Sequence, residues 1–330
     1  MRHQIHDDPL FDIISNGRRG PCRRDLLSLS QVEQITRTAG RTPEVMVKVL
    51  PASGGSMVGA CRHLDYIGRH GEVDLLTDDD QALRGADVAT DLTVDWDLDL
   101  EGSRRRANLG AMQGRPPPKL VHKLVFSMPA GTAPDKVLKA THTFCREEFG
   151  LKHRYVAALH TDEPHPHVHV VVKAMSEQGM RLHIRKATLR SWREKFAHQL
   201  RAVGVAANAT PRFVRGETQP RKTDGIYRAT RRGASAHIRE RVLAAAAALG
   251  RGGGQIDPAK ARLEQGREAL QRGWGAAIES LEAQGEFNLA SRARKFAAGL
   301  PPARTEREWV MEGPREQVRV QRGRVEELVR

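Results

Sequence analysis

The chain has 330 residues, of which 54 are Lys or Arg and 40 are Asp or Glu, so its formal net charge is +14. This length predicts about two domains, and the charge indicates a polyanionic partner such as nucleic acid. Three isolated cysteines argue against a disulfide framework, and the sequence shows no secretory signal core and no run of membrane-spanning length. We therefore expect a cytoplasmic protein that does not insert into a membrane.

The first 42 residues are basic, contain Gly and Ser, and show weak hydrophobic patterning. We expect them to form a basic flexible tail. A strand-like stretch, EVMVKVL at residues 44–50, then opens the main folded domain, which we place at residues 43–225.

The segment from Met57 to His70 is predicted to be a helix that stops at Gly71. Its apolar residues recur at helical spacing. Tyr66 lies on another face, with Arg62 one turn before it and Arg69 one turn after it. A phenol is a poor nucleophile at neutral pH, because its ordinary pKa is about 10, but nearby positive charge favours the phenolate and attracts phosphate. Tyr66 is a candidate nucleophile on this ground. A surface tyrosine on a solvated basic face is the alternative.

Residues 74–118 interrupt this domain and are expected to form an insertion or a long loop. Apolar and acidic residues alternate between Leu92 and Leu100, which predicts one half-exposed strand with a solvated acidic face. The basic cluster Arg104–Arg106 and the prolines Pro116–Pro118 follow. A strand from Leu120 to Ser127 comes next, and a helix then runs from about Thr132 to Gly150.

The run HTDEPHPHVHVVVKA at residues 160–174 carries the strongest chemical signal in the chain. His167 and His169 alternate with valines, so in an extended strand both imidazoles point to one face. The preceding stretch, HRYVAALH, is also strand-like and ends at His160, and the intervening prolines favour a turn. A hairpin would bring these three histidines together as a metal site. The alternative is a histidine-rich turn on the surface.

The rest of the chain is predicted to be helical. An apolar stripe between Leu189 and Val203 indicates a helix that faces the core and ends at Gly204. Residues 226–330 are rich in Ala, Arg, Glu and Leu and are split by glycines, so we expect a basic helical extension. The predicted fold class is α+β, with a mainly antiparallel sheet, packed helices and this C-terminal extension.

The histidine motif resembles the third motif of conjugative relaxases, the mobilisation nucleases of the MobA/VirD type within the HUH endonuclease superfamily. The matching residues are His160, Asp162, Pro166, His167 and His169. The stretch RHLDYIGRHGEV resembles the first motif of that family, an aromatic nucleophile followed by a short basic-glycine turn. The strand, serine and helix that follow Leu120 resemble its second motif. The resemblance covers residues 44–215.

This resemblance implies a nuclease mechanism that begins at Tyr66. Of the other two tyrosines, Tyr155 lies in a strand and Tyr227 in an unpatterned basic stretch. Tyr66 would attack a phosphodiester of single-stranded DNA at a transfer origin and form a 5′-phosphotyrosyl link. Arg62, Arg69 and Ser127 would contact the DNA, although the sequence equally allows Ser127 only to end its strand.

The resemblance also implies a cofactor and partners. His160, His167 and His169 would hold one divalent ion, Mg or Mn. Asp162 would orient an imidazole, and it could also act as a base toward Tyr66. The expected partners are single-stranded DNA, relaxosome accessory proteins and a secretion coupling protein, with export alongside the transferred strand.

Two other functions remain open from the sequence. One is a rolling-circle replication initiator that uses the same chemistry. The other is a non-catalytic DNA-binding protein in which the metal site is structural.

Overall fold

The computed structural model of the protein describes residues 5–6, 26–51, 56–98, 100–101, 118–217, 240, 258–305 and 308. The basic cluster Arg104–Arg106, Pro116, Pro117 and Tyr227 fall outside these residues. Within the described ranges, no helix combines the length and the hydropathy needed to cross a bilayer.

The described strands and helices are numbered in chain order. The strands are β1 (Ile5–His6), β2 (Leu26–Leu27), β3 (Met46–Val49), β4 (Leu75–Thr77), β5 (Ala82–Leu83), β6 (Val121–Ser127), β7 (Tyr155–His160) and β8 (His167–Lys173). The helices are α1 (Leu29–Ala39), α2 (Met57–Ile67), α3 (Val88–Asp95), α4 (Pro134–Phe149), α5 (Lys186–Ala202), α6 (Pro258–Ala283) and α7 (Phe287–Ala298). They fall into two compact units, Arg41–Ala209 and a second unit made of Met1–Gly40 with Thr210–Arg330.

The first unit is built on a six-stranded sheet in the order β3-β6-β8-β7-β4-β5, and every neighbouring pair is antiparallel. In β8 the alternation of HVHVVVK places Val168 and Val170 on one face and His167 and His169 on the other. The predicted α+β class with a mainly antiparallel sheet is confirmed.

Helices α4 and α5 cover the valine face of this sheet. Pro134 opens α4 at the first helical turn, where its missing N–H breaks no hydrogen bond. Trp192 and Phe196 of α5 are buried in the same core, as the apolar stripe predicted. Phe126 of β6 packs against Phe144 of α4 with ring centroids 4.9 Å apart. These two helices cover the valine face of the sheet, and the histidines lie on the opposite face.

Helices α2 and α3 cover part of the histidine face. Ala60, Leu64 and Ile67 of α2 are buried over sheet residues that include Val156 and Val171. Met57, which the sequence placed in the buried stripe, is instead 39% exposed. The buried face therefore starts at Ala60, and α2 lies against the end of the sheet that carries the histidines.

The described part of residues 74–118 differs from the expected insertion or loop. Strand β4 pairs with β7 and extends the main sheet. The predicted strand between Leu92 and Leu100 is wrong, because α3 occupies Val88–Asp95. Leu92 and Trp96 are four residues apart, a spacing that fits a helical face as well as an alternating strand, and both side chains are buried. Val94, which an alternating strand would place on the same face, is 63% exposed, and this fits the helix and not the strand.

The second unit contains an apolar core shared by α1, α6 and α7, which confirms the predicted C-terminal helices. Ile35, Trp274 and Ala293 are buried in this core. The expected flexible tail over residues 1–42 is therefore wrong for Leu29–Ala39. Ser28 begins this helix as a capping box with Gln31, and the apolar side of α1 is buried.

Candidate metal centre and tyrosine site

The β7–β8 hairpin brings three histidines to one point. His160 lies directly opposite His167 in the ladder, and Ala158 lies opposite His169, so all three imidazoles share one face. Their ring centroids are 5.3 Å apart for His160 and His167, 4.6 Å for His160 and His169, and 5.2 Å for His167 and His169. One ligand nitrogen from each ring lies within 4.8 Å of the others. The strand parity read from the sequence therefore produces the cluster.

Backbone carbonyls fix the proton positions on two of these rings. Nε2 of His160 lies 2.8 Å from the carbonyl oxygen of Ile67, and Nδ1 of His167 lies 3.0 Å from that of His165. A carbonyl can only accept, so each of these ring nitrogens must carry the hydrogen. In the neutral form of each ring, the lone pair is on the remaining nitrogen, Nδ1 of His160 and Nε2 of His167.

The cluster fits a divalent cation. Nδ1 of His169 is buried, and no described residue forms a hydrogen bond with it. Burial, followed by the neighbouring His160 and His167, lowers the pKa of His169 to about 3, and burial also lowers the pKa of His160. Both rings are therefore neutral at pH 7, which is the form that binds metal. Three imidazole ligands suit a first-row transition ion better than a hard ion.

Helix α2 places Tyr66 beside this cluster. The hydroxyl of Ser56 accepts a hydrogen bond from the backbone of Gly59 at 3.1 Å and caps the helix. The Tyr66 ring centroid lies 6.1 Å from that of His169 and 6.4 Å from that of His160. Tyr66 is 49% exposed, so its hydroxyl group stays accessible from solvent.

Arg69 lies beyond the end of α2 and not on its face, because the helix ends at Ile67. Its guanidinium carbon lies 5.3 Å from the centre of the Tyr66 ring, within the range of a cation–π contact. The Nη2 atom donates to Oδ2 of Asp162 at 2.5 Å and to Nδ1 of His160 at 3.3 Å. Arg69 thus links the tyrosine, the histidine cluster and the carboxylate.

Asp162 differs from its expected role. The sequence suggested that it would orient an imidazole, yet the imidazole hydrogens are held by the carbonyls of Ile67 and His165. Asp162 instead binds Arg69. Burial has the largest single effect on Asp162 and would raise its pKa. Arg69, a backbone hydrogen bond, His160 and His167 act together against it, so the net pKa lies below its usual value. A carboxylate with a lowered pKa is a weak base.

Comparisons with known proteins show which proteins this chain resembles. Residues 102–204 match the family model of the MobA/VirD2-like relaxase nuclease domain, a segment that contains all three clustered histidines. This part of the chain is therefore similar to a relaxase nuclease domain. The chain is also similar to the T-DNA border endonuclease VirD2 of Agrobacterium fabrum strain C58, with 26% identity over 211 residues. That match covers 59% of this chain and 46% of VirD2, so the chain spans about half the length of this relative.

The other predicted site residues, Arg62 and Ser127, differ in burial. Arg62 is exposed on α2, one turn before Tyr66. Ser127 ends β6 opposite His167, but it is only 3% exposed and its hydroxyl group faces the carbonyl of Met128 at 3.4 Å. The prediction that Ser127 contacts DNA does not fit this burial, whereas a serine that ends its strand does.

His63 is a neighbour of the site that the sequence analysis missed. Its ring stacks on that of Tyr66 with centroids 5.9 Å apart, and its centroid lies 6.2 Å from that of His169. Burial, followed by the charges of Lys123 and His160, lowers the pKa of His63 to about 4. Its position three residues before Tyr66 was the available signal, because such residues are neighbours on a helix.

Proposed function

We propose that this chain is a DNA relaxase that nicks one strand at the transfer origin of a plasmid or integrative element. The observation that carries the proposal is the meeting of Tyr66 with the histidine cluster. The ring centroid of Tyr66 lies 6.1 Å from that of His169, although the two residues are far apart in sequence. A phenol, three imidazole nitrogens and a guanidinium group at one point are the parts that phosphoryl transfer to a tyrosine requires.

Tyr66 is the proposed nucleophile. Its phenolic oxygen attacks the scissile phosphorus, and a bond from that oxygen to phosphorus forms while the bond from phosphorus to the 3′-oxygen breaks. Water at the half-exposed Tyr66 takes the phenolic proton, and the departing 3′-oxygen gains a proton from water. The products are a 5′-phosphotyrosyl link and a free 3′-hydroxyl, and the link conserves the bond energy needed for rejoining.

His160, His167 and His169 are the proposed ligands of one divalent ion, with Mg and Mn as the candidates. When bound, the ion would polarise the scissile phosphate and neutralise the charge that develops on it. The carbonyls of Ile67 and His165 fix the orientation of two of the three rings.

Arg62 and Arg69 are the proposed DNA contacts. Arg62 is exposed on α2 one turn before Tyr66, and Arg69 follows the helix and directs its guanidinium group over the Tyr66 ring. Asp162 acts through Arg69, which it holds in place by an ion pair of 2.5 Å. These contacts supply affinity for phosphate and carry no base sequence information.

The proposed partner is single-stranded DNA at the transfer origin, together with relaxosome accessory proteins and a secretion coupling protein. We place the protein in the cytoplasm, with export alongside the transferred strand. The net charge of +14 supports a polyanionic partner.

The test is covalent capture of DNA. The full chain is incubated with Mn²⁺ and an origin-derived oligonucleotide that carries a label at its 5′ end in one reaction and at its 3′ end in another. On a denaturing gel, only the 3′ label should stay attached to the protein. DNA binding without any adduct would favour a non-catalytic DNA-binding protein. An adduct formed at a replication origin and not at a transfer origin would favour a rolling-circle initiator.

A further inference from the structure

Arg69 is directed by a constrained backbone. Arg69 and His70 have φ values of +50° and +56°, the left-handed region that non-glycine residues rarely adopt. Gly71 follows with φ +88°, and a Cβ atom there would lie 2.4 Å from the backbone carbon of Gly85, so only glycine fits. The backbone N–H of Arg69 donates to the carbonyl of Tyr66 at 3.2 Å. This turn sends the guanidinium group back toward the hairpin.

A single nitrogen of Arg69 makes two of its contacts. Nη2 lies 2.5 Å from Oδ2 of Asp162 and 3.3 Å from Nδ1 of His160. A guanidinium nitrogen has two hydrogens and no available lone pair, so it donates in both contacts. Nδ1 of His160 is therefore an acceptor, and its lone pair is used by Arg69.

The other nitrogen of His160 cannot serve as a ligand. Nε2 carries the hydrogen that the carbonyl of Ile67 accepts at 2.8 Å. A neutral imidazole has one lone pair in the ring plane, and in His160 that lone pair is on Nδ1. An ion that binds His160 without breaking the Ile67 contact must use the lone pair that Arg69 uses.

We propose that Arg69 competes with the divalent ion for Nδ1 of His160, and that Asp162 keeps the displaced guanidinium group beside Tyr66. Arg69 is thus a positioning residue that weakens metal binding by about tenfold, within the usual range of coupling between two ligands. The N–H group of Arg69 that no longer donates to His160 can then donate to a phosphate oxygen. Metal and DNA then strengthen each other's binding. This inference rests on the metal site of the proposed function.

The test is calorimetric titration of the full chain with MnCl₂ and no DNA. Arg69→Gln removes the competing donor and its charge, and we expect it to bind Mn²⁺ about tenfold more tightly than the wild type. The matched control is Arg62→Gln, which removes the same charge from the exposed side of α2 and should change the affinity by no more than about twofold. Equal or weaker binding by Arg69→Gln overturns the competition.

A second variant separates this inference from the proposed metal site. His169→Ala should lose Mn²⁺ binding. If the wild type binds no Mn²⁺, or if His169→Ala binds it equally well, the metal site itself fails. If binding depends on His169 and Arg69→Gln does not tighten it, only the role of Arg69 fails.

A structural measurement covers the case in which Arg69→Gln does not fold. In a crystal of the wild type soaked with Mn²⁺, the ion should lie on Nδ1 of His160. Arg69 should have left hydrogen-bond distance of that atom while it stays bound to Asp162. An ion on Nε2, with Arg69 still donating to Nδ1, overturns the proposal.

Discussion

Replacement of Tyr66 by Phe removes one oxygen atom and leaves every ring contact in place. The stacking on His63 at 5.9 Å, the edge contact with His169 at 6.1 Å and the cation–π contact with Arg69 at 5.3 Å all involve the ring. In the described part of the chain, the Tyr66 hydroxyl group has no hydrogen-bond partner, and the residue is 49% exposed. The free energy of unfolding should therefore change by less than about 0.5 kcal/mol, as for ordinary surface substitutions.

The expected effect on chemistry is far larger. Phenylalanine has no nucleophilic atom, so the protein–DNA adduct should fall by at least about a thousandfold, the scale on which nucleophile removal acts in other enzymes. DNA affinity, measured by fluorescence anisotropy, should change by less than about twofold, since the charges that attract phosphate are untouched. The adduct is quantified on a denaturing gel with a labelled oligonucleotide.

Tyr155→Phe is the matched control for this prediction. Tyr155 is fully buried, and its hydroxyl group is among the buried polar atoms that have no partner in the described part of the chain. Burial raises the pKa of Tyr155, which makes it a poor nucleophile. The control should keep wild-type adduct formation, and its stability should be unchanged or higher, because an unsatisfied buried hydroxyl is costly. Adduct at the wild-type rate in Tyr66→Phe would refute the reasoning, and Tyr227 would then be tested.

Three further predictions concern the metal site, the domain boundary and pH. His167→Ala and His169→Ala should each lose metal-dependent nicking, and a chelator should reversibly abolish nicking by the wild type. His165→Ala should have a milder effect, because Nδ1 of His165 accepts a hydrogen bond from the backbone of Ala130. Equal metal affinities of the wild type and His167→Ala in calorimetry would contradict the cluster. A chain shortened to residues 41–209 keeps two complete apolar cores, so it should fold and nick a short oligonucleotide but fail in mating transfer. If circular dichroism shows a folded domain that does not nick, the removed unit completes the active site. Burial lowers the pKa of His122 from 6.5 to about 4. Its contribution to stability is therefore complete above pH 6.5 and falls toward pH 4 by about 1.4 kcal/mol per pH unit. In urea unfolding, His122→Gln should make the free energy of unfolding depend less on pH over this range, and an unchanged dependence would argue against a neutral buried ring.

Local sequence determined the parts of the site that depend on strand parity and helix signals. The alternation in β8 puts His167 and His169 on one face in any extended conformation, and the prolines before it favour the hairpin that returns to His160. The spacing of apolar residues in α2 similarly predicted a helix that presents Tyr66 away from its buried side. These features follow from backbone geometry, which is the same wherever the segment lies in the fold.

Tertiary structure decided which distant side chains come into contact and which of two possible secondary structures a segment adopts. The side chain of Arg69 reaches Asp162 only because a left-handed turn and the β7–β8 hairpin lie together, and no local spacing connects two residues that far apart in sequence. The spacing of Leu92 and Trp96 fits a strand as well as a helix, and only in the folded chain, where Val94 between them is 63% exposed, is the helix distinguished. The capping box at Ser28 was present in the sequence, but an 11-residue helix is marginal alone and is stabilised by its packing in the second unit's core. The sequence therefore set the face on which each side chain lies, and long-range burial set its neighbours.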